Sequence, residues 1–301
     1  MLFRRGQRAE ARLVFERLFD EQAGRTRAAA AFYLGRISLD ERRHDESVRW
    51  LEKAVDLDGD RSEYHLWLGR AYGRKALSAG VLRRPFLARR VKKHFEKAVA
   101  LEPGNLAARF ALAEYYVSAP RPLGGSRPKA QDQADEIKRR DPAQGHEAWG
   151  MIHETAGDRS AAEVEYRAAI EANPRAFDAH ERLAALYEGA GEYERARQVL
   201  EGGLAADPKR AKAYYEIGRL GAAYGAALER AQDCLVTYLG LSPGPQDPTP
   251  AAAHYLLGQV YQRRARLDLA GDHYRRALSL DPGHEGARRA LARLQRASPR
   301  P

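Results

Sequence analysis

Phe177-Asp178-Ala179-His180-Glu181-Arg182-Leu183-Ala184-Ala185-Leu186-Tyr187-Glu188-Gly189-Ala190-Gly191-Glu192-Tyr193-Glu194-Arg195-Ala196-Arg197-Gln198-Val199-Leu200-Glu201-Gly202-Gly203-Leu204-Ala205-Ala206-Asp207-Pro208-Lys209-Arg210 is the stretch on which the fold turns. Its apolar residues recur at helical spacing, and Pro208 stops the second run. Leu183-Ala184 with Tyr187 marks the first half; Ala196 and Leu200 mark the second, beyond Gly191. The small residue at 184 has a physical role. It sits where two helices cross, and a bulky side chain there would push their axes apart.

The same pattern recurs along the chain. Prolines at 103, 142, 174, 208, 243 and 282 are spaced 39, 32, 34, 35 and 39 residues apart. The first half of each unit carries a large–small pair: Leu34-Gly35, Leu68-Gly69 with Tyr72, Leu112-Ala113 with Tyr116, Trp149-Gly150, Ile217-Gly218, and Leu257-Gly258 with Tyr261. The second halves carry Phe95-Glu96-Lys97-Ala98, Tyr166-Arg167-Ala168-Ala169 and Tyr274-Arg275-Arg276-Ala277. This resembles the tetratricopeptide repeat, which implies an all-α fold, a right-handed α-solenoid of antiparallel helix pairs. Residues 143–176, 177–210 and 251–284 fit the 34-residue frame without gaps. Residues 28–61 fit with Gly59 in place of the proline and Ser47 in place of the alanine, and 211–245 needs one extra residue. Two units are longer, 62–105 by about ten residues and 106–142 by about five. Six units over 28–245, a proline-rich linker at 246–250 and a seventh unit at 251–284 are therefore expected. Residues 62–105 are also similar to the tetratricopeptide part of the regulator of microtubule dynamics family and its bacterial relatives.

At one end, residues 1–27, with Ala11 and Phe15, read as the second helix of a repeat whose first helix would precede Met1. At the other, 285–297 reads as a capping helix with Ala290, Leu291 and Leu294 on one face, followed by a tail at 298–301. Met1–Gly6 is basic but lacks an apolar run and a cleavage site, so the expected location is cytoplasmic, with an upstream targeting segment left open.

Apolar residues at 44% can fill a core, while 31% charged residues exclude a membrane-embedded class. A single cysteine, Cys234, excludes an internal disulfide and a cysteine-cluster zinc site. None of the nucleophile-elbow, P-loop or zincin spacings occurs. No catalytic residue, metal or cofactor is expected. His65, His146, His180 and His254 share the fourth position of four different units and read as packing histidines. Cys234 reads as core. Leu123-Gly124-Gly125-Ser126-Arg127 reads as a mobile loop, with an anion nest as the alternative.

In a repeat of the family resembled, first helices line a concave groove, and positions two, five, nine and twelve meet a ligand. Units one and two then supply Phe32, Arg36, Leu66, Arg70 and Arg74. Units three to five supply Glu114, Glu147, Met151, Glu154, Asp178, Glu181 and Glu188. Units six and seven supply Lys212, Tyr215, Arg219, Tyr255, Gln259 and Arg263. This basic, acidic, then basic and aromatic order suits an extended peptide selected by charge register, with Tyr215, Arg219 and Tyr255 as anchors. The family's chaperone-tail clamp needs Lys and Asn at positions five, nine and six. No Asn stands there, so chaperone C-terminal tails are disfavoured.

The formal charge is +10, from 51 Lys and Arg against 41 Asp and Glu. No acidic residue falls between Glu63 and Glu96, while nine basic ones do. Pro85 should open the second helix of this long unit, with Phe86, Leu87, Val91 and Phe95 inward and Arg83, Arg84, Arg89, Arg90 and Lys93 ringing a projecting tip. The function expected is a non-catalytic scaffold for protein–protein interaction. The alternative is an arginine-driven binder of polyanions, anionic lipid or nucleic acid, through the basic 70–93 extension; a plain solvated tip is the third reading. Partner identity and oligomeric state are not legible.

Overall fold

A computed structural model describes residues 8–241, 243–244 and 247–297. Residues 1–7, the expected tail at 298–301, and Ser242, Pro245 and Gln246 of the proline-rich stretch lie outside the described residues. The described residues form sixteen α-helices and no strand, the all-α repeat solenoid that the resemblance implies. They fall into two compact units, Met1–Ala172 and Asn173–Pro301.

In the first unit, α1 (Arg8–Glu21) packs on α2 (Gly24–Asp40). Four antiparallel pairs follow: α2 with α3 (His44–Leu57), α4 (Ser62–Ser78) with α5 (Arg84–Leu101), α6 (Leu106–Ser118) with α7 (Arg127–Lys138), and α8 (Pro142–Thr155) with α9 (Arg159–Ala172). In the second unit, α10 (Phe177–Gly189) pairs with α11 (Tyr193–Ala206), α12 (Ala211–Tyr224) with α13 (Leu228–Gly240), and α14 (Pro250–Arg263) with α15 (Leu267–Leu280), while α16 (Glu285–Ala297) covers α15.

Each pair is closed by the small residue of its first helix. A Cβ on Gly150 would lie 2.4 Å from the Tyr166 ring; on Gly258, 2.3 Å from Tyr274; on Gly69, 2.4 Å from Phe95. Leucines fill the same space opposite Gly35 and Gly218. Glycine is thus required for room, and the facing ring uses it. Tyr166 and Tyr274 are fully buried, and their hydroxyls donate to Glu154 at 2.6 Å and Gln262 at 2.8 Å, which satisfies the polar end of each aromatic.

Helix starts follow local chemistry. Asn105, Asp141 and Thr249 cap the first-turn amides of α6, α8 and α14, and prolines open α5, α7, α8 and α14. Five of the turns inside pairs carry a left-handed residue at one shared position. Gly157, Gly191 and Gly225 supply it at φ 77°, 75° and 77°, but Arg42 and Ala265 adopt φ 59° and 57° at the equivalent position. A side chain there costs on the order of 1 kcal/mol. Ala265→Gly should therefore raise the urea midpoint of the chain, whereas Gly191→Ala should lower it; equal midpoints would contradict this account of the turn.

α1 is held by Ala11, buried beside Ile37, by Phe15 stacked on Tyr33 at 4.8 Å, and by Arg12, which donates to Glu46 at 2.8 Å and Ser38 at 2.9 Å. Leu13 and Val14 on its other side are exposed.

One apolar residue of the long unit departs from expectation. Pro85 does open α5, and Val91 and Phe95 are buried, but Phe86 is 71% exposed. It stands five residues before Val91, well off the stripe that Leu87, Val91, Phe95 and Ala98 form at three- and four-residue steps.

Candidate partner-binding face

The candidate surface is the face of the first helices, described for each unit by itself. In the first unit it is more closed than expected. Phe32, Leu66 and Met151 are buried core residues. Glu147 is also buried and makes an interaction within the chain, so it does not present a free carboxylate. Position five falls where successive first helices meet, and this covers Phe32, Leu66 and Glu147 alike. Glu154 is exposed but holds the Tyr166 hydroxyl. Glu114 remains exposed.

What stands on this face is an arginine–tryptophan stack. The Arg36 guanidinium lies 4.2 Å from the centre of the Trp67 ring and the Arg70 guanidinium 4.9 Å from it. Burial lowers the pKa of both arginines; for Arg70, Glu114 opposes this and the nearby Arg36 adds to it. Both nonetheless keep their charge. Arg36 has interactions within the chain. Arg70 has no hydrogen bond or ion pair among the described residues, and its charge is balanced only at a distance by Glu114. Trp67 was not singled out from sequence. The available signals were its three-residue step to Arg70 and its position 31 residues after Arg36.

On the second unit the charges of the face are matched by one another. Lys212 donates to Glu181 at 2.6 Å. Arg219 forks onto both oxygens of Glu188, at 3.0 and 2.8 Å, and donates to Glu216 at 2.6 Å; Tyr224 adds a bond to Glu188 at 2.8 Å. Arg210 reaches Asp178 at 3.9 Å. Arg263 donates to the carbonyls of Ala222 and Ala223 at 2.8 and 2.6 Å, capping the C-terminal end of α12. Tyr215 is half-buried against Tyr238, with ring centres 5.3 Å apart. Tyr255 packs on Tyr274 and His284, and its hydroxyl accepts from Gln259 at 3.0 Å. The expected acidic block followed by a basic block is therefore modified: here the two blocks neutralise each other between neighbouring first helices. Arg219 and Arg263 thus already have acceptors within the second unit.

The four position-four histidines do pack against second helices. His65 and His94 meet Nδ1 to Nδ1 at 2.9 Å, and His254 and His273 do so at 3.0 Å. His146 faces Glu165 at 2.7 Å, and His180 bonds the carbonyls of Val199 and Pro174. Among the described residues no three His, Cys, Asp or Glu side chains group as metal ligands. In each His–His pair one ring must donate and the other accept, so full protonation would set two N–H groups against each other. Burial first, then the paired ring and, for His94, Lys93 and Arg90, pushes His94 and His254 down to about 4; His65 and His273 are also lowered, chiefly by burial. The unfolded chain takes up these protons near its ordinary value of 6.5 and the folded chain does not. Stability is then complete above pH 6.5 and falls as the pH drops towards 4. A pH series of urea midpoints should show this fall, and a shallower one for His94→Gln with His273→Gln; parallel curves would remove the histidine pairs from the explanation.

Cys234 is fully buried, and burial pushes its thiol up to about 11, as befits a core residue. The 123–127 loop is neither a nest nor loosely tethered. The amides of Gly124, Gly125 and Ser126 donate to Arg121, Pro120 and Tyr116, and Tyr115 holds the Leu123 carbonyl at 2.8 Å. No described helix is long and apolar enough to cross a membrane.

Three family models, each described as tetratricopeptide repeat, match residues 2–62, 155–220 and 251–284. Similar solved structures include a thermophilic TPR protein of Thermus thermophilus, with 20% identity, 64% of this chain and 98% of that chain covered, and a TM-score of 0.49. YrrB, described as a TPR protein with an unusual peptide-binding site, shows 18% identity over 65% of this chain and 96% of that chain, with a TM-score of 0.45. A tetratricopeptide repeat protein from Parabacteroides merdae shows 15% identity over 89% of this chain and 98% of that chain, with a TM-score of 0.45. No curated protein sequence matches the chain.

Proposed function

Because the chain belongs to the tetratricopeptide repeat family, whose repeats form protein-interaction scaffolds, we propose that it binds an extended segment of a partner protein on its first-helix face, without catalysis of its own. Recognition centres on the first unit, at Arg36, Trp67 and Arg70, and the segment carries a carboxylate for Arg70. One observation supports this above all. Arg70 is a desolvated guanidinium stacked on an indole with no anion bonded to it, whereas Lys212, Arg219 and Arg263 already have acceptors. A half-buried charge without a bonded partner carries part of its desolvation cost uncompensated, and a ligand carboxylate relieves that cost by a charge-assisted bond. Tyr215, Arg219 and Tyr255 then keep the second unit in shape. They are not the principal anchors.

Selection from a displayed peptide library tests the reading. Peptides retained by the full chain should be enriched in Asp or Glu, and the enrichment should vanish on Arg70→Met, which keeps the aliphatic stem over Trp67. Identical acidic enrichment on the variant would overturn the assignment.

A further inference from the structure

We propose that the tip joining α4 to α5 is a membrane-docking element, which seats Leu77, Val81, Leu82 and Phe86 in the interfacial layer of an anionic bilayer while Arg83, Arg84 and Arg89 meet lipid phosphates. These four side chains are 72%, 75%, 95% and 71% exposed, more than any other large apolar residue described. They come from one short stretch, the last turn of α4, the loop, and the first turn of α5. Scattered apolar residues on a surface need no explanation, but a contiguous set at the end of a helix pair does.

The tip is built to hold that set outward. The amides of Arg83 and Arg84 return to the Gly80 carbonyl at 2.9 and 3.3 Å, and Arg84 Nε donates to the Ala79 carbonyl at 3.0 Å. Past its crossing glycine α4 runs from Gly69 to Ser78, whereas α2 runs only from Gly35 to Asp40. Likewise α5 starts at Arg84, eleven residues before the Phe95 that meets Gly69, whereas α3 starts seven before Leu51. The extra turn carries the loop past its neighbours by roughly 5 Å.

The surrounding charge chooses the occupant. Lys75 is matched by Asp45 at 2.7 Å, and Arg90 turns back to Tyr72 at 2.7 Å and to Glu52, so neither serves the tip; the expected ring loses Arg90. Arg74, Arg83, Arg84, Arg89 and Lys93 have no acidic partner among the described residues. Along α5, Arg89, Lys92, Lys93 and Arg121 line a depression of about 440 Å³ whose only acidic residue, Glu96, already bonds Tyr116 and Lys92. Stable attachment to a bilayer takes two signals, apolar insertion and basic residues, and both are present here. A nucleic acid would use the arginines and leave the apolar side chains in water.

The experiment is co-sedimentation of the full chain with vesicles of equal parts phosphatidylcholine and phosphatidylserine, and with phosphatidylcholine alone. The chain should pellet with the first and not the second. Leu82→Asp with Phe86→Asp should weaken binding by roughly tenfold or more. Arg83→Glu with Arg89→Glu should weaken it by at least roughly 25-fold, from about fivefold per cation. All four sites are exposed, and an unchanged helical signal will show that the variants fold. A supernatant chain with anionic vesicles overturns the proposal. So does vesicle binding that Leu82→Asp with Phe86→Asp leaves intact, or retention on duplex DNA or polyglutamate in place of vesicles.

Discussion

Gly150→Leu is expected to lower the stability of the first unit by about 3 kcal/mol or more, seen as a large fall in its urea midpoint. The Cβ alone would stand 2.4 and 2.5 Å from two carbons of the Tyr166 ring, and Tyr166 cannot retreat because it is fully buried and its hydroxyl is fixed on Glu154. The α8–α9 pair must open, and the rest of the side chain then enters a space packed to solid density. Trp50, Trp67 and Trp149 all lie in this unit, so tryptophan emission follows its unfolding directly. Gly73→Ala, inside α4 of the same unit, is the control. The Cβ that it adds meets only a Val91 methyl carbon at 4.0 Å, an ordinary contact, and it should be neutral or stabilise by roughly 0.5 kcal/mol. Similar effects from both substitutions would mean that the small residue is not what sets the helix crossing.

Arg70→Met is expected to weaken the selected acidic peptide by roughly 30- to 150-fold, the loss of one charge-assisted hydrogen-bonded contact of about 2–3 kcal/mol. The urea midpoint should hold or rise, because the variant removes a desolvated charge with no bonded partner. Arg219→Met should do the reverse. It leaves Glu188 and Glu216 facing one another and should cost about 1–2 kcal/mol of stability, moderated by the partial exposure of the cluster, with peptide affinity unchanged. Affinity and stability therefore separate the two arginines. A loss of affinity on Arg219→Met that matched Arg70→Met would return the second unit to the binding surface.

The contrast between these residues marks where sequence reading stops. The helix pairs were legible because each rests on short-range facts: a small residue at one helical position, a ring or leucine sixteen residues later in an uninterrupted unit, and a proline or capping residue at the start of a helix. Phe86 was misplaced by reading four apolar residues as one stripe, although five residues advance a helix by nearly one and a half turns. The charges of the face depend on the neighbour. Glu181 meets Lys212, Glu188 meets Arg219 and Arg36 meets Trp67, each 31 residues on, so a position-by-position tally within single units shows the charges without their partners. Arg263 needed still more. Its acceptors are carbonyls freed by the end of α12, and no side-chain pattern announces them.

The most direct measurement is titration of the ¹⁵N-indole-labelled chain with the selected peptide, followed through its three tryptophan Nε1–H signals. Trp50 and Trp149 donate to Glu46 and Asp135 and lie off the Arg36–Arg70 stack, while Trp67 stands between the two guanidinium groups. The account predicts that the Trp67 signal shifts in a saturable way and the other two hold still. A peptide that binds while the Trp67 signal does not move would contradict it.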